Sequence, residues 1–260
     1  MNPAEAVHFS VVVPVYNEEN KILETVRRIS VFLALKKYNC ELIVVDDGSK
    51  DSTRQILEGI AREDKHGYLK FIHYDTNKGK GYACRQGMLA AKGRYVLLTD
   101  ADLSSPIKES DKLIWALEKG ADVAIGSRAV HEEGCDVRQT LKRRIAGRIF
   151  NFFVQMLVLP GIHDSQCGFK CFTQEAAQKL FSTQKLDGFS FDVEVLYLAR
   201  KFGYKIAEVP VMWAQGADSR VSFFRDSLRM VNDLFKIKRI HVGPGLANKG
   251  SRRKYLSATG

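Results

Sequence analysis

Short apolar runs alternate with segments of helical periodicity through the first half of the chain, and this alternation limits the folds open to it. The apolar runs predict buried strands at 9–15, 41–45, 68–74, 94–99 and 121–126. Between them, apolar residues recur at helical spacing, as do Ile22, Val26, Ile29 and Leu33. Strands and helices that alternate with short connections are typical of a parallel sheet with helices on both faces. Because crossover connections are right-handed, we predict an α/β fold with a doubly wound, mostly parallel sheet.

The pattern changes after Arg128. The sequence then predicts an amphipathic segment at 139–158, helices near 174–181 and 191–202, a strand at 206–210 and a last helix over 223–240. We expect three parts, namely a catalytic domain at 1–220, a basic amphipathic membrane-associating helix at 221–242 and a disordered tail at 243–260.

Positive charge is concentrated at the C-terminal end. The formal net charge is +10, and the part from Arg220 onward holds ten lysines and arginines but two aspartates. A basic amphipathic helix binds anionic lipid, and no nucleic-acid-binding module is visible. We therefore favour an anionic membrane surface over nucleic acid as partner. Neither an apolar stretch of about 20 residues nor a signal-peptide pattern is found, so we expect neither a conventional membrane span nor secretion.

Polar and acidic residues follow four of the predicted strands. They are P-V-Y-N-E at 14–18, D-D-G-S at 46–49, D-A-D at 100–102 and S-R at 127–128. The carboxyl ends of parallel strands share one edge of the sheet, where open α/β folds bind ligands. Taken singly, each aspartate is explained as a helix cap or a turn residue. Taken as a set on one edge, they indicate a site.

Asp100 and Asp102 form a D-x-D motif directly after a buried strand. Both carboxylates can face the crevice at the strand end. Hard divalent cations take oxygen ligands, and Mg²⁺ or Mn²⁺ usually shares them with substrate phosphates. A cation held in this way neutralises the charge that develops on a diphosphate leaving group. The motif therefore predicts a Mg²⁺ or Mn²⁺ site for a nucleotide diphosphate.

Further motifs carry a family resemblance over residues 9–240. The set P-V-Y-N-E at 14–18, V-V-D-D-G-S-K-D-S-T at 44–53, N-K-G-K-G at 77–81 and T-D-A-D at 99–102 resembles the inverting, family 2 nucleotide-sugar glycosyltransferases of GT-A fold. The more specific segments G-S-R at 126–128, D-S-Q-C-G-F-K-C-F-T at 164–173 and F-D-V-E-V-L-Y-L-A at 191–199 resemble the dolichyl-phosphate β-glucosyltransferases, which neighbour the dolichyl-phosphate mannosyltransferases. Leu103-Ser104 departs from the G-A that follows the D-x-D in the eukaryotic glucosyltransferases.

The resemblance implies a nucleotide-sugar site made of Pro14, Tyr16, Glu18, Asp46, Asp47, Lys80 and Asp100. The first three would line the base and ribose pocket, and Asp47 would accept the uracil N3 proton. Lys80, with Lys78, would approach the diphosphate. Asp100 and Asp102 would form the metal site.

The resemblance also implies a polyprenyl or dolichyl phosphate as the acceptor, and with it a peripheral position at the cytoplasmic face of the plasma membrane or the endoplasmic reticulum. The residues expected to bind its phosphate are Arg128, Lys142, Arg143 and Arg144, because guanidinium groups match phosphate oxygens. Asp164 would act as the base or orient the acceptor, so that Asp102, Asp164 and Arg128 are the catalytic residues. Asp192 and Glu194 would either bind the sugar or brace Lys170 and the nearby backbone. In-line displacement would invert the anomeric carbon.

We therefore expect a metal-dependent enzyme that moves one hexose, first choice glucose from UDP-glucose, to the lipid phosphate for glycan assembly or protein glycosylation. No Q-x-x-R-W signature of processive synthases is present, which favours single-sugar transfer. Transfer of mannose, N-acetylglucosamine or glucuronate to the same lipid stays open. A sugar nucleotidyltransferase would need a Gly-rich basic loop after the first strand, and a nucleic-acid-binding protein is a distant third alternative.

Overall fold

The computed structural model describes residues 6–64, 67–130, 137–138, 141–214 and 223–242, and the side chains of 138, 141–146, 148 and 223–231 are outside this description. The strands are β1 Phe9–Val15, β2 Cys40–Asp46, β3 Leu69–His73, β4 Tyr95–Thr99, β5 Val123–Ser127, β6 Val137–Arg138, β7 Phe169–Thr173, β8 Ile206–Pro210 and β9 Trp213–Ala214. The α-helices are α1 Ile22–Ala34, α2 Thr53–Glu63, α3 Lys80–Ala90, α4 Ser110–Glu118, α5 Leu141–Leu157, α6 Gln174–Thr183, α7 Phe191–Lys201 and α8 Phe223–Ile240, and a 3-10 helix spans Ile107–Glu109.

Seven strands form one sheet in the order β3-β2-β1-β4-β7-β5-β8. All neighbouring strands are parallel except where β7 pairs with β4 and β5. Every residue of β1 is buried, as expected for a central strand covered on both faces. The prediction of a doubly wound, mostly parallel α/β sheet is confirmed.

Helices cover the two faces of the sheet with separate apolar layers. One layer joins alternate residues of the central strands, such as Val13 and Val44, to α1, α2 and α4. The other joins Val12 and Val45 to α3, α5, α6, α7 and α8. Alternate residues of a strand point to opposite faces, so one continuous apolar run supplies both layers.

Strand β7 is absent from the sequence-based prediction. The segment F-K-C-F-T carries a lysine at its second position. Thr173 at its end caps α6 by accepting from the backbone N–H of Ala176. β7 inserts antiparallel between β4 and β5, with Phe169 opposite Thr99. The apolar pattern alone failed because one of the five residues is charged and the strand passes directly into a helix.

Helix α8 is partly buried. Leu234 and Ile237 are fully buried in the core, whereas Phe235 is 58% exposed. The helix therefore packs on the domain through one side and presents the other to solvent. None of the described helices has the length and apolar character needed to cross a bilayer. The proposed tail at 243–260 lies outside the described residues.

Ile237→Ala should lower the free energy of unfolding by about 2–5 kcal/mol, because truncating a buried isoleucine leaves a cavity. Phe235→Ala, on the exposed side of the same helix, should change it by less than about 0.5 kcal/mol. Urea denaturation followed by circular dichroism checks both values. Equal effects of the two substitutions would contradict the packing of α8.

Candidate active site

The ends of β1, β2 and β4 lie side by side because these strands are neighbours in the parallel sheet. Val15 pairs with Asp46 at the last position of the β1–β2 ladder. The segments 16–18, 47–49 and 100–102 therefore leave the sheet at one edge, which we call the carboxyl edge. Arg128 follows β5 at the same edge. β7 begins there too, so the segment 164–168 joins the group.

Asp100 is held between a lysine and a glycine. Its Oδ1 lies 2.6 Å from Nζ of Lys80. A Cβ added at Gly168 would lie 2.0 Å from Oδ2 of Asp100, so the close approach requires glycine. Burial by itself lowers the pKa of Lys80, but the Asp100 and Asp192 carboxylates outweigh burial and raise it. Lys80 is therefore a fixed positive charge beside the D-x-D motif.

The turn after β4 presents Asp102 to solvent. Leu103 has a φ of 46°, and its N–H donates to the Asp100 carbonyl at 3.2 Å. The Thr25 hydroxyl of α1 donates to the Ala101 carbonyl at 2.6 Å. Asp102 Oδ1 accepts from the Ser104 N–H at 2.9 Å, and the residue is exposed. The turn is thus fixed by its backbone, and a carboxylate faces outward.

A small cleft opens beside this turn. It is lined by Thr99, Asp100, Ser104, Ser105, Gly168, Phe169 and Trp213. Within the described part of the chain, the buried Ser105 hydroxyl has no hydrogen-bond partner. Buried polar atoms are normally paired, so this hydroxyl is an exception beside the cleft.

The segment 16–18 is attached to the loop after β2. Ser49 Oγ accepts from the Asn17 N–H at 2.8 Å, and Thr53 Oγ1 accepts from the Glu18 N–H at 2.7 Å. Pro14 is buried within β1, and the Tyr16 ring is 37% exposed at the carboxyl edge. An aromatic face in this position can stack on a nucleotide base.

Asp46 and Asp47 are both buried but contact different groups. Asp46 Oδ1 accepts from the N–H and the hydroxyl of Ser49, at 3.0 and 2.5 Å. The Asp47 carboxylate accepts from the Tyr74 hydroxyl at 2.7 Å, the Asn77 amide at 2.8 Å, and the N–H groups of Lys78 and Gly79, each at 2.9 Å. Asp47 therefore holds the loop at 77–79, a function that its sequence motif did not indicate.

Arg128 and Asp164 form a two-point ion pair. Nε and Nη2 of Arg128 donate to Oδ2 and Oδ1 of Asp164 at 2.7 and 2.8 Å, and the Arg128 N–H also donates to Oδ2. The guanidinium carbon lies 5.4 Å from the Trp213 ring centroid. Glu208 accepts from the N–H of Asp164 at 2.9 Å and so fixes its backbone.

The pair leaves Asp164 a weak base. Burial by itself raises the pKa of Asp164, but the Arg128 guanidinium outweighs burial and lowers that pKa below its usual range. A carboxylate with a lowered pKa accepts protons poorly. The pairing therefore makes Asp164 poorly suited to proton abstraction, one of its two predicted roles.

Asp192 and Glu194 contact protein groups below the carboxyl edge. Oδ1 of Asp192 lies 2.6 Å from Nζ of Lys170, a lysine that is 1% exposed. Glu194 accepts from the N–H groups of Lys185 and Leu186, each at 2.8 Å. Bracing, the second predicted alternative for both acids, describes these contacts. The buried Lys170–Asp192 pair was signalled by a lone lysine in an apolar segment.

Three predicted acceptor residues cannot be placed. Lys142, Arg143 and Arg144 belong to the first turns of α5, but their side chains lie outside the described residues. Among the described residues, no cluster of three or more His, Cys, Asp or Glu side chains could hold a metal ion. The two carboxylates of the D-x-D motif would need ligands from a substrate or from water.

Sequence comparison identifies a family and similar proteins. Residues 10–181 match the family model described as Glycosyl transferase family 2. The chain is 35% identical over 248 residues to the dolichyl-phosphate beta-glucosyltransferase of Dictyostelium discoideum, covering 91% of this chain and 76% of that protein. It is 36% identical over 256 residues to the Saccharomyces cerevisiae enzyme of the same name, covering 92% and 76% of the two chains.

Solved structures share the fold at lower sequence identity. A glucosyl-3-phosphoglycerate synthase from Mycobacterium tuberculosis, in complex with Mn²⁺ and UDP-glucose, matches with a TM-score of 0.63 and 18% identity, over 89% of this chain and 77% of that one. A mannosyltransferase from Pyrobaculum calidifontis, in complex with GDP-Man and Mn²⁺, matches with a TM-score of 0.60 and 20% identity, over 93% and 66%. The GT-A fold expected from the sequence motifs is confirmed.

Asp164→Asn should destabilise the protein at neutral pH by about 1–3 kcal/mol, because it removes the charged partner of the Arg128 guanidinium, which is only partly exposed. The pKa of Asp164 is lowered in the folded state. The contribution of Asp164 to the free energy of unfolding is therefore complete above the unfolded pKa of about 4 and is lost as the pH falls through the folded pKa. Urea unfolding at pH 7 and pH 3 should show a smaller difference between the two proteins at pH 3. Asp111→Asn, at an exposed position, is the control. A stability difference between wild type and Asp164→Asn that is as large at pH 3 as at pH 7 would contradict the Arg128–Asp164 pairing.

Proposed function

The chain belongs to glycosyl transferase family 2, and we propose that it transfers one glucose from UDP-glucose to a polyprenyl or dolichyl phosphate with inversion at the anomeric carbon. One observation carries the proposal. Relatives that are dolichyl-phosphate beta-glucosyltransferases share about 35% identity over nine tenths of the chain. The geometry agrees with it, because this chain brings Lys80, the D-x-D motif and the Arg128–Asp164 pair to one edge of the sheet.

Donor binding is assigned to the part of the carboxyl edge formed by β1, β2 and β4. The base would stack on Tyr16, with Pro14 and Glu18 beside it and Asp46 and Asp47 below. Because the four donors to Asp47 come from the protein, recognition of the uracil N3 proton would require one of them to be exchanged. Lys80 would place its ammonium against the diphosphate.

The D-x-D motif fits a divalent cation. Asp102 is an exposed carboxylate and Asp100 lies beside it, and hard oxygen donors of this kind suit Mg²⁺ or Mn²⁺ with substrate phosphates completing the shell. Ser104 and Ser105 line the adjoining cleft together with Asp100. When bound, the cation would neutralise negative charge on the departing diphosphate.

Acceptor binding is assigned to Arg128. Its bonds to Asp164 use two of the five N–H donors of a guanidinium, and the outer ones can meet phosphate oxygens. Lys142, Arg143 and Arg144 would extend this basic surface. An acceptor phosphate is already an anionic nucleophile, so the reaction needs orientation and charge neutralisation more than a base.

The displacement is a single step. An oxygen of the acceptor phosphate forms a bond to the anomeric carbon as the bond from that carbon to the UDP oxygen breaks, and both electrons of the broken bond leave with UDP. An α-linked donor therefore gives a β-linked product. Asp164 keeps Arg128 in place during this step.

A peripheral position at the cytoplasmic face of a membrane follows from the acceptor. Two helices in contact offer exposed apolar side chains, Ile149, Phe152 and Met156 on α5 and Phe235 and Ile240 on α8. Three exposed cations lie beside the α8 side chains, namely Lys236, Lys238 and Arg239. Apolar side chains flanked by lysine and arginine suit an anionic lipid surface.

Asp102→Asn should reduce transfer to lipid phosphate by about 100-fold or more, because the metal-binding carboxylate is lost. The assay incubates the protein and Mn²⁺ with dolichyl or undecaprenyl phosphate and a panel of UDP-glucose, GDP-mannose, UDP-N-acetylglucosamine and UDP-glucuronate. Mass spectrometry then identifies the lipid product. Asp111→Asn, an exposed aspartate on α4, is the matched control and should keep wild-type activity.

A hexosyl-lipid formed from another donor would overturn the glucose assignment and keep the reaction class. Full activity in Asp102→Asn would overturn the metal site. Absence of any glycolipid from both lipids and all four donors would overturn the function itself.

Lys236→Ala with Lys238→Ala should weaken binding to vesicles containing phosphatidylserine by about 30-fold, since each lysine contributes about 1 kcal/mol near an anionic surface. Lys37→Ala with Lys119→Ala removes the same charge from residues that follow α1 and α4 on the opposite face, and should leave vesicle binding unchanged. Sedimentation with vesicles at two salt concentrations measures both. Equal losses in the two double variants would contradict the assigned surface.

A further inference from the structure

The C-terminal end of α8 is joined to the donor side of the site by a continuous set of hydrogen bonds. We infer that His241 and Glu194 are positioning residues for the donor diphosphate. They hold the loop at 184–190, and this loop in turn holds the glycines around Lys80. The inference rests on the proposed function, because it concerns how the nucleotide sugar is bound.

The first link joins His241 to Glu194. Nε2 of His241 lies 2.6 Å from Oε1 of Glu194, and a carboxylate neighbour makes this nitrogen the donor. Glu194 is fully buried and His241 is 8% exposed. The Lys201 ammonium donates to the His241 carbonyl. The residue after α8 is thus fixed onto α7 through both its ring and its backbone.

The second link joins Glu194 to the loop at 184–190. One carboxylate oxygen accepts from the N–H of Lys185 and the other from the N–H of Leu186, each at 2.8 Å. Since Oε1 also meets His241, the two groups act on one carboxylate. A second contact from α8 reaches the same loop, where the Ser190 hydroxyl donates to Asp233 Oδ2 at 2.7 Å.

The third link joins the loop to the start of α3. The Gly81 N–H donates to the Asp187 carbonyl at 2.7 Å, and the buried Gln184 amide donates to the Gly81 carbonyl at 2.9 Å. A Cβ at Gly79 would lie 2.5 Å from the Asp187 carbonyl oxygen, and one at Gly81 would lie 2.5 Å from the Leu186 carbonyl oxygen. The loop and these glycines are therefore in direct backbone contact.

Lys80 stands between the two glycines. Its ammonium is the group that pairs with Asp100 at 2.6 Å. Gly79 has a φ of 103°, so the direction in which the chain enters α3 depends on a conformation that the loop supports from behind. A displaced loop would move Lys80 relative to the D-x-D motif. The displacement should therefore weaken donor binding. It should leave acceptor binding unchanged, because the Arg128–Asp164 pair lies on other elements.

The test compares His241→Leu, which removes the donor to Glu194, with His241→Gln, whose amide can restore it. His8→Leu is the matched control. His8 is a partly buried histidine whose ring centroid lies 4.3 Å from that of Tyr38 in a tilted arrangement, but it precedes β1 at the edge opposite the site. Calorimetry with UDP and Mn²⁺ on the full chain gives donor affinity, and KM values for UDP-glucose and for the lipid phosphate separate the two substrates.

We expect His241→Leu to weaken UDP binding and to raise the KM for UDP-glucose by about tenfold, with the acceptor KM unchanged. His241→Gln should recover most of this loss. His8→Leu should bind UDP as wild type does, even if its melting temperature falls as far as that of His241→Leu.

Wild-type UDP affinity in His241→Leu would overturn the inference and leave the proposed function intact, as would equal increases in both KM values. Equal weakening in His8→Leu would show a general loss of stability and overturn it too. Failure of the wild-type chain to bind UDP would instead overturn the proposed function, and the inference with it.

Discussion

Strand β7 lies antiparallel between two strands that run the other way, and the composition of the carboxyl edge depends on this reversal. If β7 were parallel to its neighbours, it would begin at the opposite edge of the sheet. Because β7 begins where β4 and β5 end, the segment before it reaches the carboxyl edge. Asp164 thereby meets Arg128, and Gly168 packs against Asp100. The same insertion buries Lys170, whose ammonium is compensated by Asp192.

Carboxylates that are largely buried fix the loops around the site. Asp47 accepts from two successive N–H groups at 78–79, Glu194 from two at 185–186, and Glu208 from two at 163–164. A buried carboxylate is costly unless its oxygens are satisfied, and paired backbone N–H groups provide that. A different loop conformation would leave the carboxylate without these N–H donors, which is costly for a buried charge. The loops at 78–79, 185–186 and 163–164 are held by separate carboxylates.

Helix α8 connects the domain core with the surface that we assign to lipid. Leu234 and Ile237 are buried, and His241 and Asp233 bond to Glu194 and Ser190. Lys236 and Lys238 are exposed. One helix thus serves packing and surface roles through different sides, as the 3.6-residue period permits. The sequence-based division set residues 221–242 apart as a membrane-associating helix. It did not anticipate that one side of α8 is buried in the core.

The sequence by itself determined the order of strands and helices up to β5, the parallel character of the sheet and the position of the D-x-D motif at a strand end. These are properties of local periodicity and of short motifs, and they do not require knowledge of distant contacts. Tertiary structure alone decided that Asp47 holds a loop, that Asp164 is bound to Arg128, and that His241 meets Glu194. The last two pairs lie 36 and 47 residues apart in the chain. Such pairs depend on how β7 and α8 pack, because a carboxylate binds whichever donors the fold brings within hydrogen-bonding distance.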